Sequence, residues 1–262
     1  MFLRLSGLVV HVEIAGPATA PALLLLHSLG TEARVWEAQA AALAERFRVI
    51  RPDLRGHGLT GTTPGPGSIA GLARDALAVL DALAVDRVHV GGLSIGGLVA
   101  QSVAALAPGR VRSLMLCDTA LAIPPPDFWR ERAAIVRARG MAAIADAVVS
   151  RWVTPGFLDD PSTHGLRTML LRTDAEGYAA AAEAIAAADL LADTAALRLP
   201  ALVLVGAQDP ATPPAAAQAL AAAIPGAMLE VIADASHIPT FEQAGHVTTA
   251  LRHFLDRMEA SA

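Results

Sequence analysis

The sequence predicts an α/β fold, in which a mostly parallel sheet is flanked by helices and interrupted by an inserted all-helical cap. Two observations indicate this fold. Strand and helix patterns alternate from residue 22 onward and again after residue 200, and such alternation is typical of parallel sheets. Between these stretches, residues 123–190 show helical patterns without a convincing strand. We therefore predict a core formed by residues 1–122 and 191–262, with residues 123–190 as the helical cap.

The first part of the core begins with a predicted β-hairpin over residues 2–14, which turns around Ser6 and Gly7. Beyond it, apolar and β-branched runs predict strands, and apolar residues at helical spacing predict helices. Ser68 stands where a helix cap is expected. Strands are predicted at 22–27, 47–52, 87–92 and 110–118, and helices at 35–45, at 68–83 and directly after Ser94.

The same alternation resumes after the cap. ALVLVG (201–206) and AMLEVI (227–232) are typical of buried strands, and PPAAAQALAAAI (213–224) is predicted to be the helix between them. Alanine is the best helix former, so the alanine-rich runs indicate helix rather than unstructured low-complexity chain. A terminal helix is predicted from about Thr240.

The composition indicates a globular protein with a sizeable core. Of 262 residues, 54% are hydrophobic and 17% are charged,. The net charge is −5 without a basic block, so we expect no nucleic-acid partner. No apolar run is long enough to span a membrane, and the first residues lack a secretory signal pattern. We therefore expect no membrane partner and a cytoplasmic location. Cys117, the one cysteine, lies in an apolar run and is predicted to be a buried strand thiol,.

The pentapeptide GLSIG (92–96) follows a predicted strand and opens a predicted helix. G-x-S-x-G in this context is a sharp turn that holds the serine hydroxyl above the edge of the sheet. Glycine on both sides leaves room for the neighbouring strand and helix. The alternative is an ordinary glycine-rich turn with a capping serine. We predict that Ser94 is a catalytic nucleophile.

A serine nucleophile needs a base to take its proton and an acid to hold that base. Asp209 follows one predicted strand of the second core part, and His237 follows the next one. The order Ser94, Asp209, His237 is that of an α/β-hydrolase, and all three stand at the carboxyl ends of parallel strands. Asp118, after the strand that follows Ser94, is the alternative acid.

The other histidines have structural interpretations. His27 is expected to shape the loop that follows the first buried strand, and His57 is expected to make a structural hydrogen bond in a turn-rich loop. Four more lie in predicted strands or on the last helix: His11, His89, His246 and His253.

The tetrahedral intermediate of acyl transfer needs two hydrogen-bond donors for its oxyanion. One is predicted to be the backbone N–H of Ile95, which directly follows the nucleophile and begins a helix. The other is assigned to Leu29 in the loop HSLGT (27–31), with Ser28 as its neighbour.

Several segments together resemble the 3-oxoadipate enol-lactonases, which are α/β-hydrolases of the β-ketoadipate route of aromatic degradation. The segments include HSLGTEARVWEAQ, FRVIRPDLRGHGLT and GGLSIGG in the core, and SRWVTPGF and TDAEGYAAAAEAI in the cap. The core motifs are shared by many α/β-hydrolases, so the cap segments discriminate more. The resemblance spans nearly the whole chain and implies the α/β-hydrolase fold, a Ser-His-Asp triad, and hydrolysis of a small ester or lactone without a metal or other cofactor.

The implied substrate is an enol-lactone with a free carboxylate. Its binding calls for an apolar pocket wall for the lactone and a cation for the carboxylate. Trp129 and Trp152 in the cap are predicted to line the pocket, although core packing would suit each equally well. Arg132 is predicted to bind substrate, and Arg130 and Arg151 are the alternative cations.

Other functions of the same fold remain open at this point. A carboxylesterase, a perhydrolase or another lactonase would share the nucleophile, because the fold fixes the nucleophile and the cap fixes the substrate. The loop SHIPTFEQ (236–243) also resembles that of esterases. A non-enzymatic receptor that keeps the hydrolase pocket is a further alternative. A haloalkane dehalogenase would need an aspartate in place of Ser94.

Overall fold

The structure is a computed structural model that describes residues 1–5, 7–65 and 67–260. Its centre is an eight-stranded sheet in the order β1-β2-β4-β3-β5-β6-β7-β8. The strands are β1 (Phe2–Leu5), β2 (Leu8–Ala15), β3 (Ala22–Leu26), β4 (Arg48–Pro52), β5 (Val88–Leu93), β6 (Val111–Cys117), β7 (Ala201–Gly206) and β8 (Met228–Ile232).

Helices connect these strands and pack on the sheet. The α-helices are α1 (Glu37–Leu43), α2 (Ile69–Ala82), α3 (Ile95–Leu106), α4 (Pro126–Arg139), α5 (Ala145–Trp152), α6 (Pro161–Arg172), α7 (Ala175–Ala186), α8 (Leu191–Ala195), α9 (Pro214–Ala223), α10 (Pro239–Glu242) and α11 (Ala244–Ala260). Short 3-10 helices lie at Ala33–Trp36, Met141–Ala143 and Pro155–Phe157. Within the described ranges, no helix is both long and apolar enough to cross a membrane.

The predicted alternation is confirmed. Strands β3 to β8 run parallel to one another, whereas β2 pairs antiparallel with both β1 and β4. The predicted hairpin is present as the pair β1–β2, in which Leu5 faces Leu8; Ser6 of its turn lies outside the described residues. The Ser68 hydroxyl accepts a hydrogen bond from the Gly71 N–H and caps α2 as predicted. Cys117 is buried at the end of β6.

Two boundaries differ from the sequence prediction. The helix expected over 35–45 begins as the 3-10 helix Ala33–Trp36 and continues as α1. The terminal helix does not run on from Thr240, because α10 ends at Glu242 and Gln243 has a non-helical backbone. Helix α11 then begins at Ala244.

The chain between β6 and β7 forms helices α4 to α8 and, in the part that the structure describes, no strand. Helix α4 packs against α7, and α5 packs against α6. The cavity described below lies between these helices and the carboxyl ends of the strands, so this helical segment covers the end of the sheet where ligand sites of parallel sheets occur. The division of the chain at residues 123 and 190 into core and cap stays our prediction.

Candidate active site

Ser94 lies on a strained turn between β5 and α3. Its backbone has φ 58° and ψ −118°, a conformation that a residue with a side chain rarely adopts,. Two contacts hold it there: the Ser94 N–H donates to the Cys117 carbonyl (3.0 Å), and the Thr119 hydroxyl donates to the Ser94 carbonyl (2.7 Å). The Ser94 side chain does not cap its own helix. The hydroxyl therefore faces a cavity rather than the backbone of α3.

The glycines two residues before and after Ser94 have a steric reason. A Cβ on Gly92 would lie 2.1 Å from the Gly96 carbonyl oxygen, and a Cβ on Gly96 would lie 2.3 Å from the Leu26 carbonyl oxygen. Both obstacles are backbone atoms, which cannot move aside as a side chain can. The close approach of α3 to the ends of β3 and β5 thus requires glycine at both positions.

His237 and Asp209 meet in the loops that follow β8 and β7. His237 Nδ1 donates to Asp209 Oδ2 at 2.8 Å, and both side chains are buried. Because the carboxylate can only accept, this bond fixes the proton on Nδ1 and leaves Nε2 as the acceptor nitrogen. His237 and Ser94 line the same cavity. A histidine in this tautomer can take a proton from a serine hydroxyl.

Asp209 is held as a carboxylate. Besides His237, its oxygens accept hydrogen bonds from the Ala211 N–H (2.7 Å), the Thr212 N–H (3.2 Å) and the Thr212 hydroxyl (2.6 Å). Burial alone would raise the pKa of Asp209, but the charge of His237 and these hydrogen bonds hold it well below its usual range,. Asp209 therefore stays ionised and remains a hydrogen-bond acceptor for the His237 ring.

Asp118, the alternative acid, lies behind Asp209 and makes no hydrogen bond to His237. Its Oδ1 accepts from the Gly206 N–H (2.8 Å), and the Cys117 thiol donates to its Oδ2 (3.1 Å). The structure thus brings Asp209, and not Asp118, into contact with the histidine.

The other histidines lie away from the cavity, as far as the structure describes its lining. His27 Nδ1 donates to the Ser28 carbonyl, and its Nε2 accepts from the Leu54 N–H. His57 donates to the Arg55 carbonyl (3.0 Å), and burial lowers its pKa to about 3. The remaining hydrogen-bonded histidines pair with side chains elsewhere: His11 with Asp53, His89 with Ser113 and Glu259, and His246 with Glu230.

The loop after β3 is oriented to present a backbone donor. The Ser28 carbonyl accepts from the His27 ring, from the Thr31 N–H (3.1 Å) and from the Thr31 hydroxyl (2.9 Å). In a trans peptide the next N–H points opposite to this carbonyl. The Leu29 N–H is therefore directed away from those donors, and Leu29, Ser28 and Ser94 all line the cavity. Ile95 begins α3 directly after Ser94, so its N–H has no partner within the helix,.

The cavity joins the predicted triad to the helical segment. All of the predicted substrate-binding residues line it: Ser28, Trp129, Arg132 and Trp152. The cavity is small, with about 30 Å³ of space for the centres of water-sized molecules. Sequence reasoning did not find four further lining residues, which are Phe128, Val148, Tyr178 and Ala211. Tyr178 lies in the segment TDAEGYAAAAEAI, and the resemblance of this segment to the lactonases is the one sequence feature that could have indicated Tyr178 as a lining residue.

The sequence predicts three candidate arginines for the pocket, and two of them line the cavity. Arg132 and Arg151 line the cavity, with their guanidinium carbons 4.4 and 5.3 Å from the ring centre of Phe128. Neither forms an ion pair with a carboxylate of the described residues. Arg130 is exposed, pairs with Asp127, and is not among the lining residues. The cavity thus has two cations without a protein counter-ion.

The loop after β3 is also in contact with the helical segment. A Cβ on Gly30 would lie 2.6 Å from Leu170, 3.1 Å from Tyr178 and 3.6 Å from Trp152. Gly30, whose φ is positive, allows the loop to pass close to the helices that contain Leu170, Tyr178 and Trp152,.

One group of side chains in the described ranges has the spacing of a metal site, namely Asp118, Asp209 and His237. Their carboxylate and ring atoms are already engaged in the hydrogen bonds given above, and His237 Nδ1 bears the proton that bonds to Asp209. The group is therefore organised for internal hydrogen bonding rather than for cation ligation.

The comparisons with known proteins agree with this architecture. Residues 23–251 match the model of the alpha/beta hydrolase family. The 3-oxoadipate enol-lactonase 2 of Acinetobacter baylyi is 39% identical over 230 residues, which are 87% of this chain and 86% of that relative. The crystal structure of the enol-lactonase from Burkholderia xenovorans superposes with a TM-score of 0.95 at 39% identity, covering 98% of this chain and 100% of that one.

An esterase is also structurally similar. The malate-bound thermophilic esterase of Thermogutta terrifontis superposes with a TM-score of 0.92 at 32% identity, and the match covers 98% of each chain. The chain therefore belongs to the α/β-hydrolase family and has its fold. Within that family it belongs with the 3-oxoadipate enol-lactonases, which confirms the resemblance read from the sequence.

We predict that Gly96→Ala destabilises the protein by about 1–3 kcal/mol, because its Cβ would collide with the backbone of β3,. Gly109→Ala is the matched control, since nothing lies within 4 Å of a Cβ there. Urea unfolding followed by circular dichroism measures both. Equal midpoints for Gly96→Ala and the wild type would contradict the steric account of the turn.

Asp209→Asn should lower kcat by about four orders of magnitude, as loss of the acid does in serine proteases, because an amide no longer fixes the tautomer of the histidine. Asp127→Asn on the exposed face of α4 is the control and should leave kcat unchanged. Steady-state hydrolysis of an activated ester measures both. If Asp209→Asn loses less than tenfold, another group holds His237.

Proposed function

We propose that this chain is a serine hydrolase that opens 3-oxoadipate enol-lactone by acyl transfer to Ser94, with His237 as base and Asp209 as its acid partner. One observation supports this most strongly: Ser94 on its strained turn and His237, which is hydrogen-bonded to Asp209, line one cavity. The same cavity is lined by Arg132 and Arg151, which form no ion pair with a carboxylate of the described residues. In this proposal residues 123–190 form the cap that selects the substrate.

The chemistry follows from the tautomer of His237. Its Nε2 takes the Ser94 proton as the oxygen attacks the lactone carbonyl, and the N–H groups of Leu29 and Ile95 stabilise the oxyanion. The ring C–O bond then breaks, and the enol oxygen receives the proton from His237. Because the leaving group is an enol, this step is easier than with an alkoxide. Water, deprotonated by His237, releases the acid and regenerates Ser94.

Recognition of the substrate carboxylate is assigned to the arginines of the cavity. Arg132 is half-buried and lies over Phe128 and Trp129, with its guanidinium carbon 5.6 Å from the ring centre of Trp129. Stacking fixes the guanidinium plane and leaves its N–H groups available for a carboxylate. Arg151, whose Nη2 donates to the Pro210 carbonyl at 3.3 Å, is the second cation.

The names of the relatives support the same substrate. Two matched proteins of Acinetobacter baylyi are called 3-oxoadipate enol-lactonases, and the second of them is 34% identical over 93% of this chain. The likeness to a thermophilic esterase with bound malate supports a carboxylesterase as the second candidate. An esterase would use the same Ser94 chemistry on an ester that needs no contact with the arginines.

Ser94→Ala should lower kcat by about 10⁶-fold, the loss that removal of the serine causes in subtilisin, and should leave the fold intact. The oxyanion donors and substrate binding should leave a weak residual activity above that of water alone. Ser150→Ala, the same change at an exposed serine that bonds only to the Ala147 carbonyl and is not among the residues that line the cavity, is the comparison variant and should keep most of its activity. Substantial turnover by Ser94→Ala would mean that a different group attacks the substrate.

Arg132→Ala should lower kcat/KM for the enol-lactone by about ten- to a hundredfold, because the substrate carboxylate loses a charge-assisted hydrogen bond. Hydrolysis of a neutral p-nitrophenyl ester should hardly change, because that ester has no carboxylate to bind. Arg130→Ala is the matched control, since Arg130 lies on the same helix outside the cavity.

Both substrates should be measured on the wild type, Arg132→Ala, Arg151→Ala and Arg130→Ala. Equal losses on the two substrates would assign the arginines to cap stability. A wild type that prefers the neutral ester would favour the esterase over the lactonase.

A further inference from the structure

Asp118 is a buried carboxyl group that the proposed mechanism does not use. It follows β6, its side chain is fully buried, and its backbone has φ 43°, in the left-handed region. One carboxylate oxygen of Asp118, one of Asp209 and a ring nitrogen of His237 all lie within 4.8 Å of one another. A second acid thus lies directly behind the proposed triad.

The surroundings of Asp118 do not suit a second negative charge. The titratable groups that face it are Cys117, Asp209 and His237, and no arginine of the described ranges forms an ion pair with it. A single backbone N–H, from Gly206, and a weak thiol donor are its hydrogen bonds. Asp209, by contrast, receives four donors, including the ring of His237.

Two carboxylates this close in a buried site cannot both be ionised, because their repulsion is not screened by water. The acid with more hydrogen-bond donors keeps the charge, and that acid is Asp209. Burial raises the pKa of Asp118 well above its usual range, and the neighbouring negative charge of Asp209 raises it further. The pair therefore shares one negative charge and one proton.

We propose that Asp118 is a positioning residue that remains protonated and donates a hydrogen bond to Asp209. This bond would hold the Asp209 carboxylate in the orientation in which it accepts from His237. This role rests on the proposed triad. Asp118 does not touch the substrate. It holds the acid that orients the base, and because it is neutral, it adds no second charge beside His237.

Asparagine is the conservative substitute for a protonated aspartic acid. In Asp118→Asn, the amide oxygen can accept from Gly206, the amide nitrogen can donate to Asp209, and asparagine tolerates the left-handed backbone. We expect Asp118→Asn to keep kcat within about threefold, whereas Asp118→Ala should lose about ten- to a hundredfold, as expected for a hydrogen bond to a charged group. KM should change little. Cys117→Ala is the control for the lost thiol contact.

The pH profile separates positioning from a merely structural role. If Asp118 is neutral, Asp118→Asn should leave the acid limb of kcat/KM in place. If Asp118 were ionised, removal of a charge so close to His237 would move that limb down by about 1–3 pH units. Turnover is normalised to the Ser94 groups titrated by a fluorophosphonate, so that partial unfolding of a variant does not count as loss of activity.

The protonation itself is measured by infrared difference spectroscopy of the wild type against Asp118→Asn near neutral pH. We expect the wild type to show a carbonyl stretch of a protonated carboxylic acid that the variant lacks. Absence of this band, or a displaced acid limb in Asp118→Asn, would overturn the inference. The spectrum does not depend on turnover, so it can fail or succeed independently of Ser94→Ala, which tests the proposed function.

Discussion

The hydrogen bond between His237 and Asp209 is the interaction on which the site depends. It joins the loops that follow two neighbouring parallel strands, β7 and β8, and at 2.8 Å in a buried setting it fixes both the position and the tautomer of the histidine. Everything around it supports this bond. Thr212 and Ala211 hold the carboxylate, and Asp118 lies behind it.

The His237 loop is in turn attached to the helical segment. Glu242 accepts hydrogen bonds from the Ser236 N–H on one oxygen and from the N–H and hydroxyl of Thr154 on the other. The Ile238 N–H donates to the Trp152 carbonyl at 2.9 Å. The His237 loop and the segment that contributes Trp152 to the wall of the cavity are therefore joined by these hydrogen bonds.

Much of the fold and of the candidate site could be predicted from the sequence, because the patterns that indicate them are local. The alternation of strands and helices predicts a parallel sheet, and G-x-S-x-G between a strand and a helix predicts the sharp turn at Ser94. The boundary at Gln243 was missed because it follows from the backbone of that one residue. The lining residues Phe128 and Tyr178 were missed because they meet only when α4 packs on α7. Arg130 and Arg132 illustrate the same limit: two residues apart, they lie on nearly opposite sides of a helix, and only tertiary packing decides which side faces the cavity.

The central claim is that Ser94, His237 and the N–H groups of Leu29 and Ile95 form one acyl-transfer site. A crystal structure of the protein inactivated by a fluorophosphonate tests it most directly. The account predicts phosphorus bonded to Ser94 Oγ, with one phosphoryl oxygen within about 2.7–3.1 Å of the backbone nitrogens of Leu29 and Ile95. Phosphorus on any other residue, or a phosphoryl oxygen turned away from both nitrogens, would contradict it.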